Sequence, residues 1–333
     1  MKILFYCSLP FSLAHGGQAI QIERTMAALA EIGVTVEPWR WWDAKQTGDL
    51  IHYVGVMPVE QIEFARQKKV KVVIANILTA QGSQNRWQRG LRRVFRWGVE
   101  NFAPRAMAHA FGWESYRRAD GLIANTLWEK YLLEYKFSAD PAKIHLITNG
   151  VEAAFFDAPA TPRGQWLVCT ATITERKRVL ELARAAVRAR TPLWVIGQAY
   201  SNQDPYAAAF LELAKKEPQL IRYEGGVSDR HELAKIYRSA RGFVLLSTME
   251  TLSLSAQEAV TCECPLLLSD LPWARCSFPE AQFTPVAGSE EQTAKDLRAF
   301  YDQAPQLAPL PKPPTWRAVA EDLRQVYARV LAQ

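Results

Sequence analysis

Glu250-Thr251-Leu252-Ser253-Leu254-Ser255-Ala256-Gln257-Glu258, followed by Ala259-Val260-Thr261-Cys262-Glu263-Cys264-Pro265, sets two glutamates at either end of a seven-residue spacer. Apolar runs flank this stretch, Gly242–Leu246 before it and Leu266–Ser269 after it, and both predict strands. Ser253 or Ser255 opens a helix between them, predicted over Ser253–Cys262. In such a strand–loop–helix–strand unit the loop lies at the carboxyl edge of a parallel sheet, so Glu250 falls where ligands bind. The first turn of the helix offers free backbone N–H groups and the positive end of its dipole, which suits an anion. Glu258, inside the helix, is placed to accept from a polar group beside that anion, such as paired ribose hydroxyls.

The same alternation extends in both directions. Before residue 150 it predicts strands at Lys2–Cys7, Val34–Glu37, Leu50–Tyr53, Val70–Ala75, Gly121–Ala124 and Ile144–Ile147. Helical periods lie between most of them, including Gln18–Ile32, stopped by Gly33, and Asn125–Tyr135, capped by Asn125 or Thr126. Ala158-Pro159-Ala160-Thr161-Pro162-Arg163-Gly164 reads as a linker. A second alternation follows, with strands at Trp166–Ala171, Leu193–Ile196, Leu220–Tyr223, Gly242–Leu246 and Leu266–Ser269. Its helices are predicted near Val179–Arg190, Pro205–Glu217, Asp229–Ser239 and Ser253–Cys262. Pro309, Pro311, Pro313 and Pro314 stiffen a crossing segment before a last amphipathic helix, Thr315–Leu331. Nearly continuous apolar strands alternating with helices predict an α/β fold with parallel sheets covered on both faces. The expected domains are 1–157, 158–312, and a C-terminal helix within 313–333 returning towards the first domain. Two doubly wound, Rossmann-like domains would face each other across an interdomain cleft.

Composition narrows the class. The 333 residues suit two domains at about 150 residues each. At 49% hydrophobic and 22% charged, the chain is neither disordered nor collagen-like. No run reaches the roughly 18 apolar residues of a membrane span. Cys7, Cys169, Cys262, Cys264 and Cys276 form no C-x-x-C pair, which predicts free thiols in a reducing cytoplasm. The start, through Ser12-x-Ala14, has the outline of a signal peptide, but a buried strand at Lys2–Cys7 is the preferred reading. The net charge of +6 is concentrated. Arg86 to Arg118 carries eight arginines (86, 89, 92, 93, 96, 105, 117 and 118) against Glu100 and Glu114. Interleaved Trp87, Leu91, Val94, Phe95, Trp97, Phe102, Phe111 and Trp113 give a basic, aromatic segment suited to an anionic lipid surface or an acidic partner. The alternative is a solvated helix whose aromatics enter the core. Nucleic acid is not expected, since no recognition motif accompanies the patch.

The Glu250–Glu258 stretch resembles the E-x7-E signature of the retaining glycosyltransferases of family four, which have the GT-B fold. Other segments resemble the family in order along nearly the whole chain. His15-Gly16-Gly17-Gln18 is similar to its N-terminal glycine loop, and Arg118 to Thr126 to its A-D-x-hydrophobic-I strand. Lys143 to Val151 resembles its interdomain K-I-x-V-I-x-N-G-V junction, and Thr174-Glu175-Arg176-Lys177 its pyrophosphate-binding turn. Tyr223 to Val227 and Trp316 to Tyr327 match two further family positions.

By this resemblance Glu250 contacts the transferred sugar and Glu258 the nucleotide ribose. Lys177, with Arg176, meets the diphosphate, and the backbone of Thr251, Leu252, Ser253 and Leu254 meets sugar and phosphate. Val227 and Gly226 lie near the base. Gly16 and Gly17 let backbone approach the donor, although a simple turn explains them as well. The chain also departs from the pattern. Thr172 stands where the family carries an arginine, leaving Arg176 or Arg178 to compensate. No histidine follows the fourth strand, where Asn76 is the nearest polar residue. Glu263-Cys264 replaces the glycine before the proline.

The resemblance implies a retaining, metal-independent transferase with no cofactor. It would move a sugar from a nucleotide-diphosphate donor to the hydroxyl of a carbohydrate or lipid-linked acceptor, and domain closure would exclude water. The alternatives are a non-catalytic nucleotide- or sugar-binding protein and another GT-B enzyme such as a sugar-nucleotide epimerase. The expected location is cytoplasmic, with peripheral contact at the inner membrane face. No Walker loop, G-x-S-x-G or G-x-G-x-x-G occurs. His231-Glu232 begins H-E-x-x-H, but Lys235 replaces the second histidine, so it is read as a helix start capped by Ser228. His52 ends a strand and is read chiefly as a core residue; His109 and His145 have no evident partner.

Overall fold

Short runs of Val, Ile and Leu are driven out of water, and in this chain they form the inner strands of two sheets, buried on both faces. A computed structural model describes residues 1–7, 16–79, 83, 86–102, 113–157, 159, 161–201, 203–286 and 288–333. His15, Arg105, His109, Phe111, the Ser12-x-Ala14 segment and linker residues 158 and 160 lie outside the described residues. The chain divides into two units, residues 1–150 with 316–333, and residues 151–315. The boundary thus falls at Gly150/Val151 rather than at 157/158. Val151 and Phe155 pack into the core of the second unit, which draws the segment before the proline-rich stretch into that unit.

In the first unit β1 (Lys2–Cys7), β2 (Thr35–Pro38), β3 (Leu50–Val54), β4 (Lys71–Ile74), β5 (Gly121–Ala124) and β6 (Ile144–Leu146) form one sheet. Its order is β2-β1-β3-β4-β5-β6, and every pairing is parallel. Helices α1 (Gly17–Glu31), α2 (Val59–Gln67), α3 (Arg86–Phe102), α4 (Trp113–Arg118) and α5 (Leu127–Phe137) connect the strands. Thr126 caps α5: its side chain accepts from Glu129 N at 3.1 Å, while Glu129 Oε2 accepts from Asn125 N at 2.8 Å. Glu129 Oε1 also accepts from Leu78 N at 2.9 Å, which pins the segment after β4 to the helix start. Asn76, in that segment, donates to Tyr116 Oη at 2.5 Å.

In the second unit β7 (Leu167–Thr170), β8 (Leu193–Ile196), β9 (Ile221–Tyr223), β10 (Gly242–Leu245), β11 (Leu266–Ser269) and β12 (Gln282–Thr284) form another parallel sheet. Its order is β12-β11-β10-β7-β8-β9. The connecting helices are α6 (Ala153–Phe156), α7 (Val179–Ala189), α8 (Pro205–Lys216), α9 (Arg230–Ser239), α10 (Leu254–Thr261), α11 (Pro272–Ser277) and α12 (Glu290–Gln303). Sequence reading missed β12, α11 and α12. For α12 the signal was present as a capping box, with Ser289 accepting from Gln292 N. The start of α9 corrects a second reading: Asp229, not Ser228, caps it, accepting from the N–H groups of His231 and Glu232.

After residue 315 the chain returns to the first unit as α13 (Trp316–Leu331), which packs on α1. A Cβ on Gly150 would sit 2.5 Å from the backbone of Trp316, so only glycine admits this crossing. His52 on β3 is a core residue. It stacks on Phe5, and its Nδ1 lies 2.7 Å from the Tyr327 hydroxyl of α13. Complete burial lowers His52 to about 3.

The unfolded chain therefore takes up a proton near pH 6.5 that the folded chain refuses until about pH 3. Stability should be intact above 6.5 and fall towards pH 3, with this group adding a slope approaching about 1.4 kcal/mol per pH unit. Thermal unfolding across that range should show the slope, and His52→Phe should flatten it while lowering stability at neutral pH through the orphaned Tyr327 hydroxyl.

Candidate functional site

In the second sheet β7 and β10 are neighbours, yet the connection from β7 runs to β8 on one side and that from β10 to β11 on the other. Helices leaving in opposite directions open a crevice at the carboxyl ends of these two strands, the usual ligand position in open α/β sheets. Two loops meet there. The first leaves β7 and forms a short 3-10 turn at Glu175–Lys177. The second leaves β10 and leads to α10. They are tied by Thr248 N, which donates to the Arg176 carbonyl at 2.8 Å.

The side chains converge on the same point. Lys177 Nζ donates to Glu250 Oε1, and Arg176 Nη1 donates to the same oxygen at 3.1 Å and to the Met249 carbonyl at 2.9 Å. No partner of Glu250 Oε2 is present among the described residues. Lys177 and Glu250 are largely buried, whereas Arg176 keeps 40% of its side chain in solvent. The hydroxyls of Ser247 and Thr174 flank the crevice, buried and without a hydrogen-bond partner among the described residues. Ser253 caps α10, accepting from Ala256 N at 3.2 Å. Helix geometry then leaves the N–H groups of Leu254 and Ser255 without intrahelical acceptors. Thr251 and Ser253 are buried; Thr172, Leu252 and Leu254 are half-buried. Arg178 does not join this cluster, since its guanidinium donates to the Val286 carbonyl.

Glycine is required at one edge of this site. Gly197 follows β8 at φ +149°, and a Cβ there would lie 2.0 Å from the Ala171 carbonyl oxygen. Its N–H donates to the Gly225 carbonyl at 3.0 Å, which fixes the loop carrying Gly226 and half-buried Val227 beside the loop after β7. In the first unit Gly16 and Gly17 sit at the start of α1. Gly16 is extended, and a Cβ there would meet nothing within 4 Å, so the fold itself does not demand a glycine.

Glu258 is as buried as Glu250 but has different partners. Arg230, at the start of α9, bonds Glu258 Oε1, and its Nε lies 2.9 Å from Glu152 Oε1. The Tyr237 hydroxyl stands 3.5 Å from Glu258 Oε2, and the Arg230 guanidinium lies over the Phe155 ring. Burial raises the Glu258 carboxyl, to about 7, while Arg230 pulls it back. Burial lowers Arg230, but Glu258 and Glu152 outweigh it and hold the guanidinium above its ordinary value. Sequence reading missed Arg230 and Glu152. No local pattern pairs them with Glu258, and only the packing of α9 against α6 and α10 brings three charges together.

Residues 164–303 match the family described as "Glycosyl transferases group 1". Sucrose-phosphate synthase from Thermosynechococcus elongatus is similar in structure, at 16% identity, 100% coverage of both chains and a TM-score of 0.69. The HepE protein of Anabaena, solved with UDP, is 13% identical over 99% of this chain and 100% of that one, at a TM-score of 0.66. A glycosyltransferase from Rickettsia africae is 12% identical over 99% and 98%, at 0.63. No curated protein sequence matches the chain. At these identities the solved structures establish the fold, two Rossmann-like units of the GT-B class. The matched domain adds the activity class: the chain is a glycosyltransferase.

Removing Arg230 would leave buried Glu258 and half-buried Glu152 without the guanidinium they share. Arg230→Met should cost about 3 kcal/mol, the low end for a broken buried pair because part of the guanidinium is exposed. Glu258→Gln in that background should recover some of it, and denaturant unfolding of the four-variant cycle should give a coupling above about 0.5 kcal/mol. Additive losses would mean the pair is uncoupled.

Proposed function

We propose that the chain is a retaining transferase of the E-x7-E type, taking a nucleotide-diphosphate sugar as donor at the carboxyl edge of β7 and β10. The observation that carries this reading is the convergence of Arg176 and Lys177 on one oxygen of Glu250. Two cations within reach of one carboxylate oxygen form a site for a diphosphate, whose charge grows as the glycosidic bond breaks. Stabilising developing charge is usually the largest catalytic contribution. The cations also supply the charge that a metal ion would otherwise bring, so neither metal nor cofactor is required by this reading. Glu250 Oε2 is then the acceptor for a sugar hydroxyl, and the first-turn N–H groups of Leu254 and Ser255 add donors along the helix dipole. The unpartnered hydroxyls of Ser247 and Thr174 supply further contacts at the same edge.

The chemistry balances without a protein nucleophile. The acceptor oxygen attacks the anomeric carbon on the face the diphosphate leaves. The bond from that carbon to the diphosphate oxygen breaks, and the acceptor proton passes to the departing phosphate. The products are a glycoside of unchanged anomeric configuration and a nucleoside diphosphate. The acceptor hydroxyl belongs to a carbohydrate or a lipid-linked glycan. Glu258, by resemblance the ribose contact, is held by Arg230, so a ribose hydroxyl would have to share that carboxylate or displace the guanidinium.

A thermal-shift panel with UDP, GDP, ADP, dTDP and CMP tests the site, UDP first because HepE was solved with it. One diphosphate at a hundred times its dissociation constant should add about 2.7 kcal/mol, a rise of several degrees. Lys177→Ala should abolish the shift. No shift with any nucleotide would overturn the donor assignment.

A further inference from the structure

Helix α3 places large apolar side chains outside the core. Among its described side chains Arg96 and Val99 are buried, and Arg96 Nη2 donates to Ser138 Oγ at 2.8 Å, so that side of the helix meets the body of the unit. The apolar stripe looks elsewhere. Trp87 is 85% exposed, Leu91 71%, Val94 67% and Phe102 78%, at spacings that stack them along one face. Phe95 and Trp97 flank the stripe, 54% and 59% exposed. Single exposed hydrophobes are ordinary, but six on one helix form a contiguous patch of the kind that marks an interaction surface.

Charge identifies the occupant. Helix α3 carries arginines at 86, 89, 92, 93 and 96 against Glu100 alone, a net +4 in seventeen residues. Arg118, counted with this basic segment in the sequence, does not add to it. It is paired with Glu114 at 2.7 Å and with Glu63 at 3.0 Å. The excess of positive charge in the sequence therefore falls on the helix that bears the exposed stripe, Arg96, its one described arginine side chain, being buried. A second copy of the chain would bring the same excess of arginine against it, and like charge disfavours that contact. An anionic bilayer matches both features: hydrocarbon beneath the headgroups for Trp, Leu and Phe, and negative charge for a helix of net positive charge. We propose that α3 is a membrane-docking helix. It would lie in the interface of an anionic lipid surface with Trp87, Leu91, Val94 and Phe102 directed into the acyl region. The inference stands on the first unit alone and holds whatever donor the other unit takes.

Flotation of the full chain with phosphatidylcholine vesicles, with and without phosphatidylglycerol, tests the proposal. Recovery should rise at least tenfold with the anionic lipid and fall as salt is raised. Trp87→Glu combined with Leu91→Glu should abolish it with unchanged circular dichroism, both positions being exposed. Tyr200→Glu, at an exposed aromatic of the second unit, should leave it intact. Equal recovery on both vesicle types would overturn the proposal. So would flotation of the double variant, or a wild-type dimer by light scattering that the double variant dissolves.

Discussion

The adjacency of β7 and β10, with connections that diverge, is the constraint on which the candidate site depends. Parallel strands send every loop after a strand to one edge, and right-handed crossovers force the helices beside these two strands to part. The gap leaves room for a ligand without any cavity in the core. Into it the fold delivers Arg176 and Lys177 from one loop and Glu250 from the other, residues more than seventy positions apart. The backbone bond between Thr248 and Arg176 holds the loops in register, so the ionic cluster is set by the sheet rather than by mobile side chains.

A second ionic cluster involves the other glutamate of the seven-residue spacing. Arg230 joins Glu152 before α6, Glu258 on α10 and, through its ring contact, Phe155. Three elements meet at one guanidinium, and its planar fork satisfies two carboxylates from one position. A lysine could not span both with the same geometry. The arrangement ties the segment entering the second unit to the helix that carries Glu258.

Tryptophan and phenylalanine take opposite roles at different places in the fold. In the second unit, Trp273, Phe210, Phe243 and Phe300 fill the core between sheet and helices. In the first unit, the aromatics of α3 face solvent while its Arg96 is buried. Residue type alone does not decide between these outcomes. The deciding term is which side of the helix meets the body of the unit, and Ser138 receives an arginine there rather than a tryptophan.

The sequence by itself determined the strand–helix alternation, the parallel sheets and the position of Glu250 at a carboxyl edge, because apolar periodicity and capping act over a few residues. A cap at Ser253 or Ser255 and one at Asn125 or Thr126 were legible for the same reason, and the structure selects Ser253 and Thr126. Tertiary structure alone decided the rest. It ran α13 back over β3 so that Tyr327 meets His52, set Arg230 between two glutamates, turned Arg178 away to Val286, and brought the unit boundary to Gly150. Each of these is a contact between residues far apart in the chain. Such partners are selected by packing and by the cost of burying charge unpaired, and neither leaves a local pattern to read.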